Sequence, residues 1–144
     1  MNISGILANK GSSVATIRHD ATIGDAAEQL ARHRVGALVV SDDGDTIEGI
    51  LSERDLARGL AVHGATVIGM RVTDLMTRDV VTCEPTDSVE RLMGVMTDRR
   101  IRHLPVVDGG HLTGIVSIGD IVKSRLDELE VERTTLRDYL TTGR

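Results

Sequence analysis

Phenylalanine and tryptophan are missing from this chain, and Tyr139 is its single tyrosine. The core must therefore be built from Val, Ile, Leu, Met and Ala, and there are no aromatic platforms on which single-stranded nucleic acid could stack. Cys83 stands alone, which excludes an intramolecular disulfide and every multi-cysteine zinc site. No apolar run reaches the roughly 18 residues that cross a bilayer. No basic leader precedes an apolar run at the N-terminus, so no secretory signal is read there and a reducing, cytoplasmic setting is expected. A basic excess is lacking too. Lys and Arg number 17 against 22 Asp and Glu, a net charge of -5, where phosphate neutralisation usually needs a basic surface. Neither nucleic acid nor a membrane is expected as a partner.

What remains is ordinary globular material: 144 residues, 40% hydrophobic and 27% charged, enough for one compact domain or two small units sharing a core. An internal repeat favours the second arrangement. At an offset of 66, Val14-Ala15-Thr16 overlays Val80-Val81-Thr82, Leu30 overlays Met96, Leu38 overlays Leu104 and Asp42 overlays Asp108. One residue is then lost in a turn, and Gly49-Ile50-Leu51-Ser52 overlays Gly114-Ile115-Val116-Ser117 at an offset of 65. A slip confined to a surface turn is what two copies of one unit tolerate.

Each copy predicts the same elements. A short strand at 14–17 or 80–83 comes first. A helix follows at 23–32 or 89–99, with Thr22 and Ser88 as N-caps and the apolar positions Ile23, Ala26, Leu30 or Val89, Leu92, Met96 at helical spacing. A hairpin comes next, turning at Asp42-Asp43-Gly44-Asp45 or Asp108-Gly109-Gly110, and a second helix begins near Glu53 or Ile118. The order is β-α-β-β-α, twice, a mixed α/β (α+β) fold of two repeats packed as a pseudo-two-fold pair. In domain terms, 1–65 is the first repeat with its N-terminal segment, 66–125 the linker and second repeat, and 126–144 a helical tail. A short helix is expected in the linker at 73–76. In the tail, Val122, Leu126, Leu129, Leu136 and Leu140 form an a/d-type stripe interrupted by Arg133. Its first half is expected to pack on the sheet, and the Leu136 and Leu140 end to offer a surface for self-association. The helix-face residues Leu92, Met93, Val95 and Met96 are expected to be exposed and to drive dimerisation.

The most informative motif is Gly-aliphatic-aliphatic-Ser-x-x-Asp, present as Gly49 to Asp55 and as Gly114 to Asp120. Ser-x-x-Asp after a strand resembles a capping box, in which Ser caps the helix and the acid reaches back. Two features point beyond capping. The acid is Asp in both copies, where Glu is the usual capping partner. Both copies also sit where a strand meets a helix, and a carboxylate held there can accept from both hydroxyls of a ribose. Just before the second hairpin runs Arg99-Arg100-Ile101-Arg102-His103, a candidate phosphate clamp. Its counterpart in the first copy ends in Val35-Gly36-Ala37, so the two halves are expected to offer unequal sites. Lys10, followed by Gly11-Ser12-Ser13, is a further candidate for phosphate, although the P-loop pattern is absent. The five histidines show no metal-ligand spacing, Cys83 reads as a packed thiol, and no catalytic motif is present, so neither metal nor catalysis is expected.

With these residues in view, the doubled unit resembles the cystathionine-β-synthase-type (CBS) domain, and the tandem resembles a Bateman module of the stand-alone bacterial type. Gly-Ile-Leu-Ser-Glu-Arg-Asp in the first copy carries the likeness, as do Leu104-Pro105-Val106-Val107-Asp108 and Gly114 to Asp120 in the second. The resemblance implies a regulatory sensor of adenine nucleotides that signals to a regulated protein of unknown identity. Carried over by position, Asp55 and Asp120 are the ribose residues, with Ser52 and Ser117 beside them. Thr16, Thr82, Val35, Gly36, Ala37 and Ile101 are the walls for the base, and Lys10, Arg102 and His103 are the phosphate contacts. AMP, ADP, ATP, NAD and S-adenosylmethionine are ligands of such modules, and the motif does not choose among them. The resemblance also implies a flat homodimer. The alternative is a structural interaction module whose motif Asp residues only cap helices.

Overall fold

The computed structural model describes residues 1–142; Gly143 and Arg144, the end of the expected tail, lie outside it. Its first repeat holds β1 (Thr16–Ile17), α2 (Ile23–His33), β2 (Ala37–Val40), β3 (Gly49–Ser52) and α3 (Glu53–His63). These follow an N-terminal helix, α1 (Ile3–Lys10). A 3-10 helix (Gly64–Gly69) and α4 (Val72–Leu75) make the linker. The second repeat holds α5 (Val89–Arg99), β4 (His103–Asp108) and β5 (His111–Ser117), and runs into α6 (Ile118–Thr142).

The caps explain where the helices start. Thr22 accepts from Asp25 N and Ser88 from Arg91 N, so each side chain satisfies a backbone donor that the first turn leaves without a partner. Both helices end the same way, on an arginine in the left-handed region: Arg34 at φ 55° and Arg100 at φ 54°. That conformation ordinarily goes to Gly or Asn and costs a larger side chain about 1–2 kcal/mol. It turns the chain sharply from helix into hairpin in both copies.

In the first sheet β1 runs parallel to β2, and β2 antiparallel to β3 with Leu38 opposite Leu51. The second sheet pairs β4 with β5. Here the opening strand expected at 80–83 shrinks to one parallel bridge: Cys83 N donates to Pro105 O and Val107 N to Cys83 O. The single proline of this hairpin, Pro105, thus uses its carbonyl and needs no N–H. The β4–β5 turn carries Gly109 and Gly110 at φ 59° and 85°, the paired positive values that close a two-residue hairpin turn.

Two aliphatic cores result, one under each sheet. Leu38, Val40, Leu51, Ile23 and Leu30 fill the first; Leu92, Met96, Leu104, Val106 and Val116 fill the second. Each fully buried side chain of this size contributes about 1.5–3 kcal/mol. Chain order and packing part company at the edges. Ile3 and Ile6 of α1 are buried in the second core, while Val67 and Val72 of the linker are buried in the first. Each repeat is completed by the segment that precedes the other.

Two expectations are corrected. Leu92 and Met96 are each 1% exposed, inside the second core, so they offer no dimer face. In α6 the packed face is Ile121 and Ser124, and the stripe of Val122, Leu126 and Leu129 points away from the sheet. An a/d spacing marks one face of a helix without saying which way that face is turned.

Candidate functional site

The two copies of the motif build matching junctions. Ser52 N donates to Asp55 Oδ2 at 2.9 Å and Asp55 N donates to Ser52 Oγ at 3.3 Å. Ser117 N donates to Asp120 Oδ2 at 2.9 Å and Asp120 N to Ser117 Oγ at 3.1 Å. Both acids therefore close capping boxes. So does Asp25 with Thr22, at the start of α2. Asp in place of Glu is a general habit of this chain, so the choice of Asp does not by itself point beyond capping. In Asp55 and Asp120, as in Asp25, capping uses Oδ2 alone. Among the described residues, Oδ1 of neither acid takes a hydrogen bond from the protein.

Asp55 lines a cleft of about 230 Å³ between the repeats. Gly36, Ile50, Ser52, Glu53, Arg54 and Arg58 share its first-repeat wall; Thr77, Asp79, Val80, Val81 and residues 100–103 form the other. Within each repeat a matching hydrogen bond ties the helix start to the residue before the hairpin: Glu53 N donates to Gly36 O at 3.0 Å, and Ile118 N to Arg102 O at 2.8 Å. Arg54 Nη1 reaches across to Arg100 O at 3.1 Å. Gly36 leaves room for both Glu53 and His103, since a Cβ there would lie 3.0 Å from Glu53 Oε1 and from His103 Nε2, and those side chains would have to shift.

Of the residues expected from sequence, Ser52, Asp55, Gly36, Ile101, Arg102 and His103 meet at this cleft, while Thr16, Val35, Ala37, Thr82, Lys10, Ser117 and Asp120 lie outside its lining. Ala37 is buried in β2 and Thr82 is exposed. Arg100 to His103 of the basic run line this cleft, with the left-handed turn at Arg100 leading into the seam between repeats. Sequence reasoning missed Arg54, Arg58 and Thr77, while Arg100 comes from the basic run already singled out. Arg54 and Arg58 are four apart on α3 and flank Asp55, a spacing that was legible. Thr77 was not, since it arrives through a tertiary bridge, with Ile50 N donating to Thr77 O and Thr77 N to Ile50 O.

The Asp120 junction is occupied differently. Lys10 Nζ donates to Asp120 Oδ2 at 2.6 Å and to Ile115 O at 2.9 Å. Burial pushes the Asp120 carboxyl up, but the Lys10 ammonium and the Ser117 N–H outweigh it and hold the acid below its ordinary range. Lys10, expected at a phosphate, neutralises the second motif acid instead.

His103 lies between the two junctions. Burial pushes its imidazole below the ordinary 6.5, with Glu53 and Asp120 opposing and Lys10 and Arg102 assisting. A histidine with a lowered folded value takes up its proton first in the unfolded chain, so stability falls as pH drops below 6.5. His111 has the opposite sign: a hydrogen bond to Asp45 raises it, and its contribution is present at low pH and lost as pH rises. Melting curves of the ligand-free protein between about pH 5 and 7.5 should therefore flatten in His103→Gln and steepen in His111→Gln. Parallel curves for wild type and His103→Gln would contradict the assignment.

Elsewhere, the fold gathers His19, Asp42 and Glu48 so that their ligand atoms lie within 4.8 Å of one another, a set able to hold a metal and drawn from segments with no motif spacing. His19 Nδ1 already pairs with Asp42 Oδ2 at 2.6 Å on the open surface. Cys83 is buried, which pushes its thiol up to about 12, with the Asp87 carboxylate adding to the shift.

Comparison with known proteins identifies this architecture. The CBS domain family profile matches residues 10–62 and 72–127. The chain belongs to the CBS domain family. A mitochondrial CBS domain-containing protein of Arabidopsis thaliana, CBSX3, is 37% identical over 149 residues, covering 98% of this chain and 72% of that protein. The crystal structure of a CBS-domain containing protein from Agrobacterium tumefaciens superimposes with a TM-score of 0.84 at 43% identity, covering 87% of this chain and 99% of that one. A CBS domain pair solved in complex with 5'-methylthioadenosine and S-adenosyl-L-methionine superimposes with a TM-score of 0.76 at 28% identity, covering 88% of this chain and 98% of that one. The chain is a tandem CBS pair, and among its described residues no helix is long and apolar enough to cross a membrane.

Proposed function

We propose that this tandem CBS pair is a regulatory module whose Asp55 cleft binds an adenine nucleotide (AMP, ADP, ATP or NAD), and that occupancy biases the conformation of a partner protein. The observation that carries the reading is the convergence in one cleft of a helix-capped carboxylate with a free oxygen, apolar walls and arginines from both repeats. Asp55 Oδ1 would accept from the ribose hydroxyls. Ile50, Val80, Val81 and Ile101 offer the base an aliphatic slot, in keeping with a chain that has no Phe or Trp. Arg54, Arg58, Arg100 and Arg102 would face the phosphate. The relative solved with two adenosine-containing ligands supports the ligand class. We place the protein as a homodimer on the same footing.

The phosphate assignment separates ligands. AMP should bind the wild-type protein at least tenfold more tightly than adenosine, because charge-assisted hydrogen bonds contribute about 1.5–3 kcal/mol each. Calorimetry on the two ligands tests this, and equal affinities would remove the arginines from the role. A thermal-shift series over AMP, ADP, ATP, NAD, NADH and S-adenosylmethionine tests the function itself. A ligand at 100 times its dissociation constant stabilises the native state by about 2.7 kcal/mol. Absence of any shift at millimolar ligand would leave the second reading, a structural interaction module, which the capping geometry of both motif acids favours.

A further inference from the structure

From residue 129 onward every described residue of α6 is exposed, four helical turns standing clear of both cores. An isolated helix of that length is marginal in water, so something is expected to cover it. Most of the exposed apolar side chains of α6 fall on one stripe, with Val131 and Tyr139 off it. Val122, Leu126, Leu129, Leu136 and Leu140, 43% to 70% exposed, occupy alternate three- and four-residue steps, with Arg133 completing the series. This is a heptad seam with d positions at 122, 129 and 136 and a positions at 126, 133 and 140.

The flanking charges choose the occupant. With this register the g positions are Arg125, Glu132 and Tyr139, and the e positions are Lys123, Glu130 and Arg137. In a parallel two-stranded coil each g residue faces the e residue five positions on in the other helix. Arg125 then meets the partner's Glu130, and Glu132 meets the partner's Arg137, opposite charges in both cases. Arg133 at its a position lies against the partner's Glu132, one position earlier, and its methylenes can line the seam. Among the described residues no intramolecular ion pair engages Glu130, Glu132, Arg133 or Arg137; Arg125 is shared with Glu90 and Glu128. An antiparallel helix with Arg133 opposite Leu129 would set Glu132 against Glu132 and Glu130 against Glu130; with Arg133 opposite Leu136 it would pair Glu130 with Arg137 but leave Val122 and Leu126 outside the seam, whereas the parallel pair covers the whole stripe.

We propose that the exposed stripe of α6 is an interaction surface for a second copy of this chain, paired in parallel and in register. The proposal stands apart from the nucleotide reading and assigns an interface to the homodimer.

Light scattering and a single cysteine test it on the full chain. Wild type should have the mass of a dimer at tens of micromolar. Leu136→Asp combined with Leu140→Asp, both at exposed positions where folding is not at stake, should raise the dimer dissociation constant more than tenfold without lowering the ligand-free melting temperature of the body. Leu136→Cys should form an intermolecular disulfide with itself under mild oxidation, since d positions face each other across a parallel seam; buried Cys83 does not compete. Glu132→Arg should weaken the dimer and added Arg137→Glu restore it. A monomeric wild type would overturn both the interface and the homodimer. A dimer indifferent to the paired Asp substitutions would overturn the tail interface alone, and a dimer whose Leu136→Cys variant does not cross-link would overturn the parallel arrangement.

Discussion

Asp55→Ala should weaken adenine-nucleotide binding by about 30- to 150-fold, whereas Asp120→Ala should leave the affinity of the Asp55 cleft within about threefold of wild type. The magnitude follows from removing charge-assisted hydrogen bonds to a ribose, roughly 2–3 kcal/mol in total. Stability is the control. Both acids close capping boxes through Oδ2, so both substitutions should cost about 0.5–2 kcal/mol of folding free energy. Asp120→Ala should cost at least as much as Asp55→Ala, because it also strands the partly buried Lys10 ammonium. Calorimetric titration and ligand-free melting of the two variants, measured side by side, separate binding from capping. If both lose stability and neither loses affinity, the motif acids are caps and the ribose assignment is wrong. If Asp120→Ala loses affinity as severely as Asp55→Ala, the binding site belongs at the other junction.

Gly49→Val should destabilise the ligand-free protein by about 1–3 kcal/mol, the range for forcing extra methylenes into a packed site. The motif glycine has no positive φ to explain it. Its reason is approach: a Cβ at Gly49 would stand 2.6 Å from Met76 Sδ and 2.9 Å from Thr77 O. The side-chain sulfur can move, but the carbonyl cannot without breaking the Ile50–Thr77 bridge that seals the linker to β3. Thr77 lines the cleft, so nucleotide affinity should fall together with stability. Gly94→Ala serves as the opposite case. Gly94 lies inside α5 with nothing within 4 Å of an added Cβ, and the change should stabilise by up to about 1 kcal/mol. A Gly49→Val protein that melts with wild type would show that the linker does not press on β3 as described. Gly114 faces Leu7 of α1, where an added Cβ would stand 2.8 Å from a side-chain methyl that can shift, so the same change there should cost less. In both copies the motif glycine makes room for the segment that completes the repeat.

Much of this protein was legible in its residues. The repeat offset of 66, the N-caps at Thr22 and Ser88, α5 at Val89–Arg99 and the helix starts after Ser52 and Ser117 rest on local spacing and capping chemistry, and those act within a few residues of each other. The absence of Phe and Trp decided that any base would sit on aliphatic walls. Composition and periodicity left the partners of each face open. That α1 completes the second core and the linker completes the first depends on which hydrophobic surface each segment meets. That Lys10 neutralises Asp120 while Arg54, Arg58, Arg100 and Arg102 gather at Asp55 depends on contacts as far apart as 110 residues, which no local pattern encodes. The stripe of α6 shows the division most plainly. Its heptad was written in the sequence, but only the packing of Ile121 and Ser124 against the second core turned that stripe outward, because a helix can bury one face and the tighter contact claimed it.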